Sequence, residues 1–242
     1  MALNLTTYFT TASKVRGGKA VWVKDAGHEE RANVLLGSTV KNPPIGFGHA
    51  FAAGLYEYKP FEEGLLFRSF AIGEKVSSAS AKTLFVNGDG YSDVPEVGMT
   101  LMKAPDAINV VSYAVSSSTV TATTKEYTGQ SAKVTAVEFD ESKQMFKVTL
   151  DAALGTLETT DILVEAEGES ASASAKVLVK NPNTFIEVDV DFIPSNGAYG
   201  FDNVQHDVNV VYDKKAWIQR MQPLPKYVLA LNKSHIDGIF EL

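Results

Sequence analysis

Lys133-Val134-Thr135-Ala136-Val137-Glu138-Phe139 and Met145-Phe146-Lys147-Val148-Thr149-Leu150 flank the polar linker Asp140-Glu141-Ser142-Lys143-Gln144. Apolar and polar residues alternate with period two on both sides of the linker, the pattern of a β-hairpin with one buried face. Leu157-Glu158-Thr159-Thr160-Asp161-Ile162-Leu163-Val164-Glu165 follows as a turn feeding another strand. Ser131 to Ala166 therefore predicts a compact β-barrel, which offers scaffold and contact surface but no obvious chemical group.

Upstream, Thr83-Leu84-Phe85-Val86 runs into Asn87-Gly88-Asp89-Gly90, a turn sequence because Asn and Gly tolerate positive φ. Val97 to Met102 reads as a strand. Asn109 to Val115 and Thr119 to Thr124 read as two more, joined by Ser116-Ser117-Ser118 and rich in the strand formers Val, Thr and Tyr. Nearer the start, Ala20 to Val23, Ala32 to Leu36, Phe47 to Tyr58 and Gly64 to Ile72 are shorter strand candidates, broken by Lys41-Asn42-Pro43-Pro44.

Downstream, Thr184 to Phe192 alternates so that Glu187, Asp189 and Asp191 share one face and Ile186, Val188, Val190 and Phe192 the other. Pro194-Ser195-Asn196-Gly197 closes that strand. Asp207 to Tyr212 is another, and Lys214 to Met221 has room for one or two helical turns before Pro223 and Pro225 stop them. Ser77 to Asn87 echoes Ser170 to Asn181, each a Ser/Ala lead-in to a β-branched strand. Two copies without a further period are better explained by small residues recurring at strand entrances than by duplication.

The expected fold is thus all-β, a small β-barrel or sandwich body with extended N- and C-terminal arms. The organisation reads as an N-terminal arm over residues 1–18, a β-rich region over 19–80, and the barrel over 81–166. A second β-rich region over 167–221 packs on the body, and a C-terminal arm covers 222–242. The arm assignments follow from Thr-rich sequence with spaced large apolar residues at one end and an apolar tail at the other, which is rarely left in water.

Composition limits function. The chain has 242 residues, 45% apolar and 21% charged, the balance of a folded globular protein. A net charge of −7 without Lys/Arg clusters argues against nucleic acid as a partner. With no cysteine, neither disulfides nor thiolate metal ligands are available. Met1 to Thr11 lacks a basic leader and a continuous apolar block, and no later run has the length of a membrane span, so synthesis in a cytoplasm and no membrane partner are expected.

Candidate chemistry is thin. Glu187, Asp189 and Asp191 have the charge for calcium, yet alternating acids on the wet face of an edge strand also deter unwanted pairing. Asn87, Asp89 and Asp93 are a partial calcium loop without its glycine and closing glutamate. His28, His49, His206 and His235 show no ligand spacing. Neither a nucleophile elbow, a Walker loop nor a dinucleotide fingerprint is present. Trp22, Trp217, Tyr56, Tyr58, Tyr91 and Tyr199 can stack on sugars, although at this aromatic content core and interface roles come first. No catalytic residue, metal or cofactor is assigned, and the expectation is a protein that is not an enzyme.

Gly129 to Val137, continued by Lys147 to Leu154 and by Asp161 to Ala166, resembles the β-barrel modules in virion structural proteins of tailed bacteriophages. The ending, Met221 to Pro225, Ala230 to Ser234 and Ile236 to Leu242, resembles head-fibre or auxiliary capsid proteins of phages related to the crAss-like group of gut Bacteroidales. The resemblance implies a non-enzymatic virion component made in the host cytoplasm, with other capsid proteins as partners and a homo-oligomer, a trimer among the options. Leu3, Leu5, Tyr8, Phe9, Leu229, Ile236, Ile239 and Phe240 would then supply the interface. Deleting Gln222 to Leu242 is expected to leave a folded barrel that no longer joins particles. The rival readings are a carbohydrate-binding or adhesin module and a metal-assisted hydrolase assembled from dispersed His and Asp residues.

Overall fold

The computed structural model describes residues 34–44, 48–88, 94–116, 119–187, 189–192, 207–211, 216–232 and 239–240. The fold is nearly all β. In chain order the strands begin with β1 (Val34–Thr39), β2 (Gly48–Ala50), β3 (Leu55–Glu57), β4 (Leu65–Leu66), β5 (Ser69–Ala71) and β6 (Thr83–Asn87). They continue with β7 (Thr100–Lys103), β8 (Asn109–Ser116), β9 (Thr119–Glu126), β10 (Gly129–Asp140), β11 (Met145–Leu150) and β12 (Ile162–Glu165). The last are β13 (Ser172–Ala175), β14 (Thr184–Ile186), β15 (Val190–Phe192), β16 (Asp207–Val211), β17 (Ala216–Trp217) and β18 (Ile239–Phe240), with helix α1 (Lys226–Asn232) before β18.

The quoted hairpin forms as its alternation requires. In β11, Phe146, Val148 and Leu150 point inward and are buried, while Met145, Lys147 and Thr149 are half-buried. Asp140 folds the turn by accepting hydrogen bonds from the Ser142 and Lys143 amides and the Ser142 hydroxyl. Those bonds, the hydroxyl's first, hold its carboxyl below the usual range. Around the hairpin the strands run in the order β5-β12-β7-β10-β11-β6, with β13 added on β10. The sheet then curls until its edges meet. Ile72 bridges Val86, and the Gly73 amide donates to the Phe85 carbonyl at 2.9 Å, joining the end of β5 to β6. A register shift between Val134 and Ala136 bends β10 so that its first half pairs with β7 and its second with β11. Phe70, Ile72, Leu84, Val86, Leu101, Val134, Phe146 and Leu163 fill the interior of this barrel.

A second set of strands, β1-β16-β14-β3-β4, draws on both ends of the chain. Its edges also meet: Val40 bridges Gly64, the Gly64 amide donates to the Thr39 carbonyl and the Lys41 amide to the Gly64 carbonyl. Its interior holds Tyr56, Leu66, Ile186, Val208 and Val210. The boundaries expected at 81 and 166 therefore move outward, since the first barrel takes in Ser69–Ala71 and Ser172–Ala175. The flanking regions do not merely lie on that body. They pair with each other across the chain, Thr184 with Tyr56 and Val34 with Val211.

Gly64 sits where this second ring closes. A Cβ there would lie 2.1 Å from the Tyr56 hydroxyl oxygen, and Tyr56 is fully buried with that hydroxyl donating to the Thr39 carbonyl. The Gly64 backbone is pinned by the two bonds just described, so neither partner can retreat. Gly64→Ala is expected to destabilise the fold by about 3 kcal/mol, the upper end for overpacking, read as a lower urea midpoint at constant slope.

Several expectations need correction. Thr184 to Phe192 is not one strand: β14 joins the second ring, whereas β15 pairs with β2, and the chain between them breaks the proposed acidic face. The second Ser/Ala lead-in is itself a strand, β13, while the first is an exposed turn, so the two are not structural equivalents. Of Lys214 to Met221 the described part, 216–221, holds a 3-10 turn, Ile218–Arg220, in place of an α-helical one.

The C-terminal segment is no extended arm as far as Asn232. α1 packs on its own chain, with Leu224, Tyr227 and Val228 buried in a third cluster beside Phe67, Met102, Val164 and Phe185. These residues reach apolar partners from both rings, which is why they do not stay in solvent. β18 pairs in parallel with β17, so the end of the chain is held there too. The residues expected in an N-terminal arm, 1–18, and the strand expected over Ala20 to Val23 lie outside the described residues.

Candidate contact surface

β8 and β9 form a ladder of their own, from Asn109 opposite Glu126 to Ser116 opposite Thr119. It is rooted in the body by Ile108 and Tyr127, which pack against the third cluster, and by the Tyr127 amide donating to the Ile108 carbonyl at 2.7 Å. Beyond that root every described residue up to Lys125 is exposed. The exposed side chains include Val110 at 49%, Val111 at 47%, Tyr113 at 71%, Val115 at 75% and Val120 at 63%.

A two-stranded hairpin is marginal in water unless one face is covered. Exposed edges in folded proteins are usually guarded by charge or proline. Here no charged residue and no proline occurs from Val110 to Thr124. At the root, Glu126 is paired with Lys176 and Lys180, whose hydrogen bonds hold its carboxyl below the usual range. Val110 to Thr124 is thus exposed wherever it is described and carries neither guarding charge nor proline.

A partly buried polar network lies between the two rings. Arg68, 6% exposed, links the two rings. It donates to the Asn42 carbonyl at 2.6 Å, meets Glu96 at 3.4 Å and stands 3.8 Å from Glu165. Asn42 donates to Glu165 at 2.9 Å and exchanges two bonds with the Leu66 backbone. Burial raises the Glu165 carboxyl above its usual range in spite of the opposing pull of Arg68 and Asn42. Arg68 also lines a small cavity of about 20 Å³, together with Leu66, Phe67 and Gln222. A broad groove of about 670 Å³ lies at the hairpin root, but its Lys103 is already paired with Asp161 and its Lys226 with Asp106.

Among the described residues no three His, Asp or Glu side chains gather as a metal would require. Asp189 accepts from the Ala52 amide at 2.7 Å. Tyr56 is buried, Tyr58 and Trp217 are half-buried, and the exposed large aromatics among the described residues are Phe61 and Tyr113. Trp22, Tyr91, Tyr199, His28, His206, His235, Asp89 and Asp93 lie outside the described residues, and of His49 only the strand backbone is described.

No family model, curated protein or solved structure matches this chain.

Of the interface residues expected from sequence, Leu229 is half-buried against its own core, and Ile239 and Phe240 lie in β18. Leu3, Leu5, Tyr8, Phe9 and Ile236 lie outside the described residues. No described helix is long and apolar enough to cross a membrane. Sequence reasoning found the two strands of the hairpin but not their exposure. The usable signal was the absence of any charge from Val110 to Thr124.

Proposed function

We propose that this chain is a non-enzymatic structural component of a phage virion, a head-fibre or auxiliary capsid protein that works by contact with other capsid proteins. The observation that carries the reading is the exposed hairpin β8–β9, free of charge from Val110 to Thr124, on a body of two closed rings. A particle component needs a stiff body and a surface that becomes covered only on assembly, and the hairpin has that character. Burying Val111, Tyr113, Val115 and Val120 against a neighbour contributes on the order of 1.5–3 kcal/mol for each side chain before ordering costs. Repeated copies on a symmetric shell turn a modest contact into firm attachment. The hairpin thus takes the role first expected of the C-terminal arm, and Leu3, Leu5, Tyr8 and Phe9 are a second contact on sequence grounds.

Two measurements test the proposal. Mass spectrometry of purified virions is expected to find the chain. A variant in which Val110 to Lys125 is replaced by a two-glycine turn is expected to keep its thermal midpoint, because those side chains contribute nothing to the buried clusters. It is also expected to be lost from particles. Absence of the full chain from virions would remove the virion reading, and normal incorporation of the shortened chain would remove the hairpin from it.

A further inference from the structure

Resting on that contact reading and going one step past it, we infer that the hairpin's partner is a second copy of this chain. The two hairpins stack face to face about a two-fold axis running along them, so that each Tyr113 sits over Ala122 of the other copy.

The register carries the inference. Side chains alternate across a strand, so Val111, Tyr113, Val115, Val120, Ala122 and Thr124 share one face of the ribbon. Val110, Ser112, Ala114, Ser116, Thr119, Thr121, Thr123 and Lys125 lie on the other. Beyond Asn109 and Glu126 at its root, the first face carries four of the five large exposed apolar side chains of the ribbon, Val111, Tyr113, Val115 and Val120, against Val110 on the second. Within the first face a large residue stands beside a small one, since Tyr113 pairs with Ala122, and near the tip Val115 pairs with Val120. A half-turn about an axis lying between two stacked ribbons and parallel to them exchanges β8 with β9 while keeping each residue at its height. Every side chain then faces its own cross-strand partner in the other copy. Tyr113 meets the space above Ala122, Val115 meets Val120, and Val111 meets Thr124. The face is therefore complementary to itself, which is what a two-fold contact requires.

Charge is compatible with the same occupant, and area makes the contact a weak one. At a net charge of −7 two copies repel, and a long strip without charge is where they can touch without opposing like charges. Eight residues at about 3.4 Å each give a ribbon about 27 Å long and about 10 Å wide. Two such faces in contact cover roughly 540 Å², against roughly 1,200–2,000 Å² for a stable complex. Isolated molecules therefore associate reversibly, and an array of copies is needed to hold the contact.

Sedimentation equilibrium of the full chain, from about 10 μM to about 1 mM, reads the inference directly. The average mass is expected to climb from the monomer's 26.1 kDa toward its double. Tyr113→Ala removes the knob and Ala122→Tyr fills the hole, so each is expected to weaken association about 30-fold, as for a central aromatic contact. The double variant Tyr113→Ala/Ala122→Tyr restores one large and one small residue at the same height and is expected to recover most of the loss. Thermal midpoints confirm that the body is folded in each variant. A wild type that stays monomeric throughout, or a double variant no tighter than either single one, overturns the inference. Virions that contain the chain while the purified protein stays monomeric would sink the dimer and leave the contact role standing. A swap-sensitive dimer that is missing from virions would do the reverse.

Discussion

Tyr227→Ala is expected to destabilise the protein by about 3–5 kcal/mol, the range for truncating a large aromatic in a packed core. Tyr227 is 2% exposed and packs edge-on against Phe67, with ring centres 6.4 Å apart. Its hydroxyl donates to the Val179 carbonyl at 3.0 Å, and burial, followed by the Glu57 charge, pushes that hydroxyl well above the usual tyrosine range. Alanine opens a cavity at a point where α1, the stretch after β13 and the linker into β5 all meet. It also leaves the Val179 carbonyl without this donor. Tyr227→Phe keeps the ring and loses only the bond, so about 1 kcal/mol is expected. Urea unfolding separates the two variants by midpoint. The same geometry reverses the first expectation for the C-terminus. Deleting Gln222 to Leu242 removes Leu224, Tyr227 and Val228 together, along with the Gln222 amide bond to the Phe67 carbonyl. The shortened chain is expected to lose cooperative unfolding rather than to persist as a folded barrel.

What could be read from the sequence divides along physical lines. The hairpin at Lys133 to Leu150 was legible because a sheet with one buried face writes its period into consecutive residues. The bulge was written there too. Val134 is even-numbered and Val137 and Phe139 odd-numbered, a slip of phase that matches the register shift before Ala136. The second ring was not legible. β3, β4 and β14 lie in stretches read as strands, but each is only two or three residues long, and the pairing of β3 with β14 far along the chain leaves no mark in either segment. α1 was misread for a related reason. Its seven residues, Lys226–Asn232, make fewer than two turns beyond Pro225, so an apolar tail and a docked helix look alike. In β8 and β9 the strand formers Val, Thr and Tyr announced two strands, but what covers a face is a property of neighbours, which a single chain does not spell out. Arg68 was hidden inside an apolar run, Leu65 to Phe70, where a lone cation gives no hint that it crosses between two rings.

Arg68→Met is expected to cost about 3–5 kcal/mol, because it strips the cation from two partly buried carboxylates. Glu96 and Glu165 have side chains 12% and 16% exposed, so neither can turn fully to water when the guanidinium is gone. The Asn42 carbonyl loses its 2.6 Å donor as well. The arrangement is not optimal even when intact, since the Arg68 Nε has no hydrogen-bond partner and Glu165 stays above its usual range. Replacing a buried pair with neutral groups is often close to neutral overall. Arg68→Met combined with Glu165→Gln is therefore expected to be more stable than Arg68→Met alone. The pH dependence follows from the direction of the Glu165 shift. A carboxyl raised in the folded state favours folding most below its unfolded value of about 4.5, and that contribution is lost as pH rises through the higher folded value. The stability of the wild type minus that of Glu165→Gln is thus expected to fall as pH rises across that window. Urea titrations of both proteins at a series of pH values measure it, and a flat difference would mean that Glu165 is not titrating against its burial and that Arg68 holds it charged throughout.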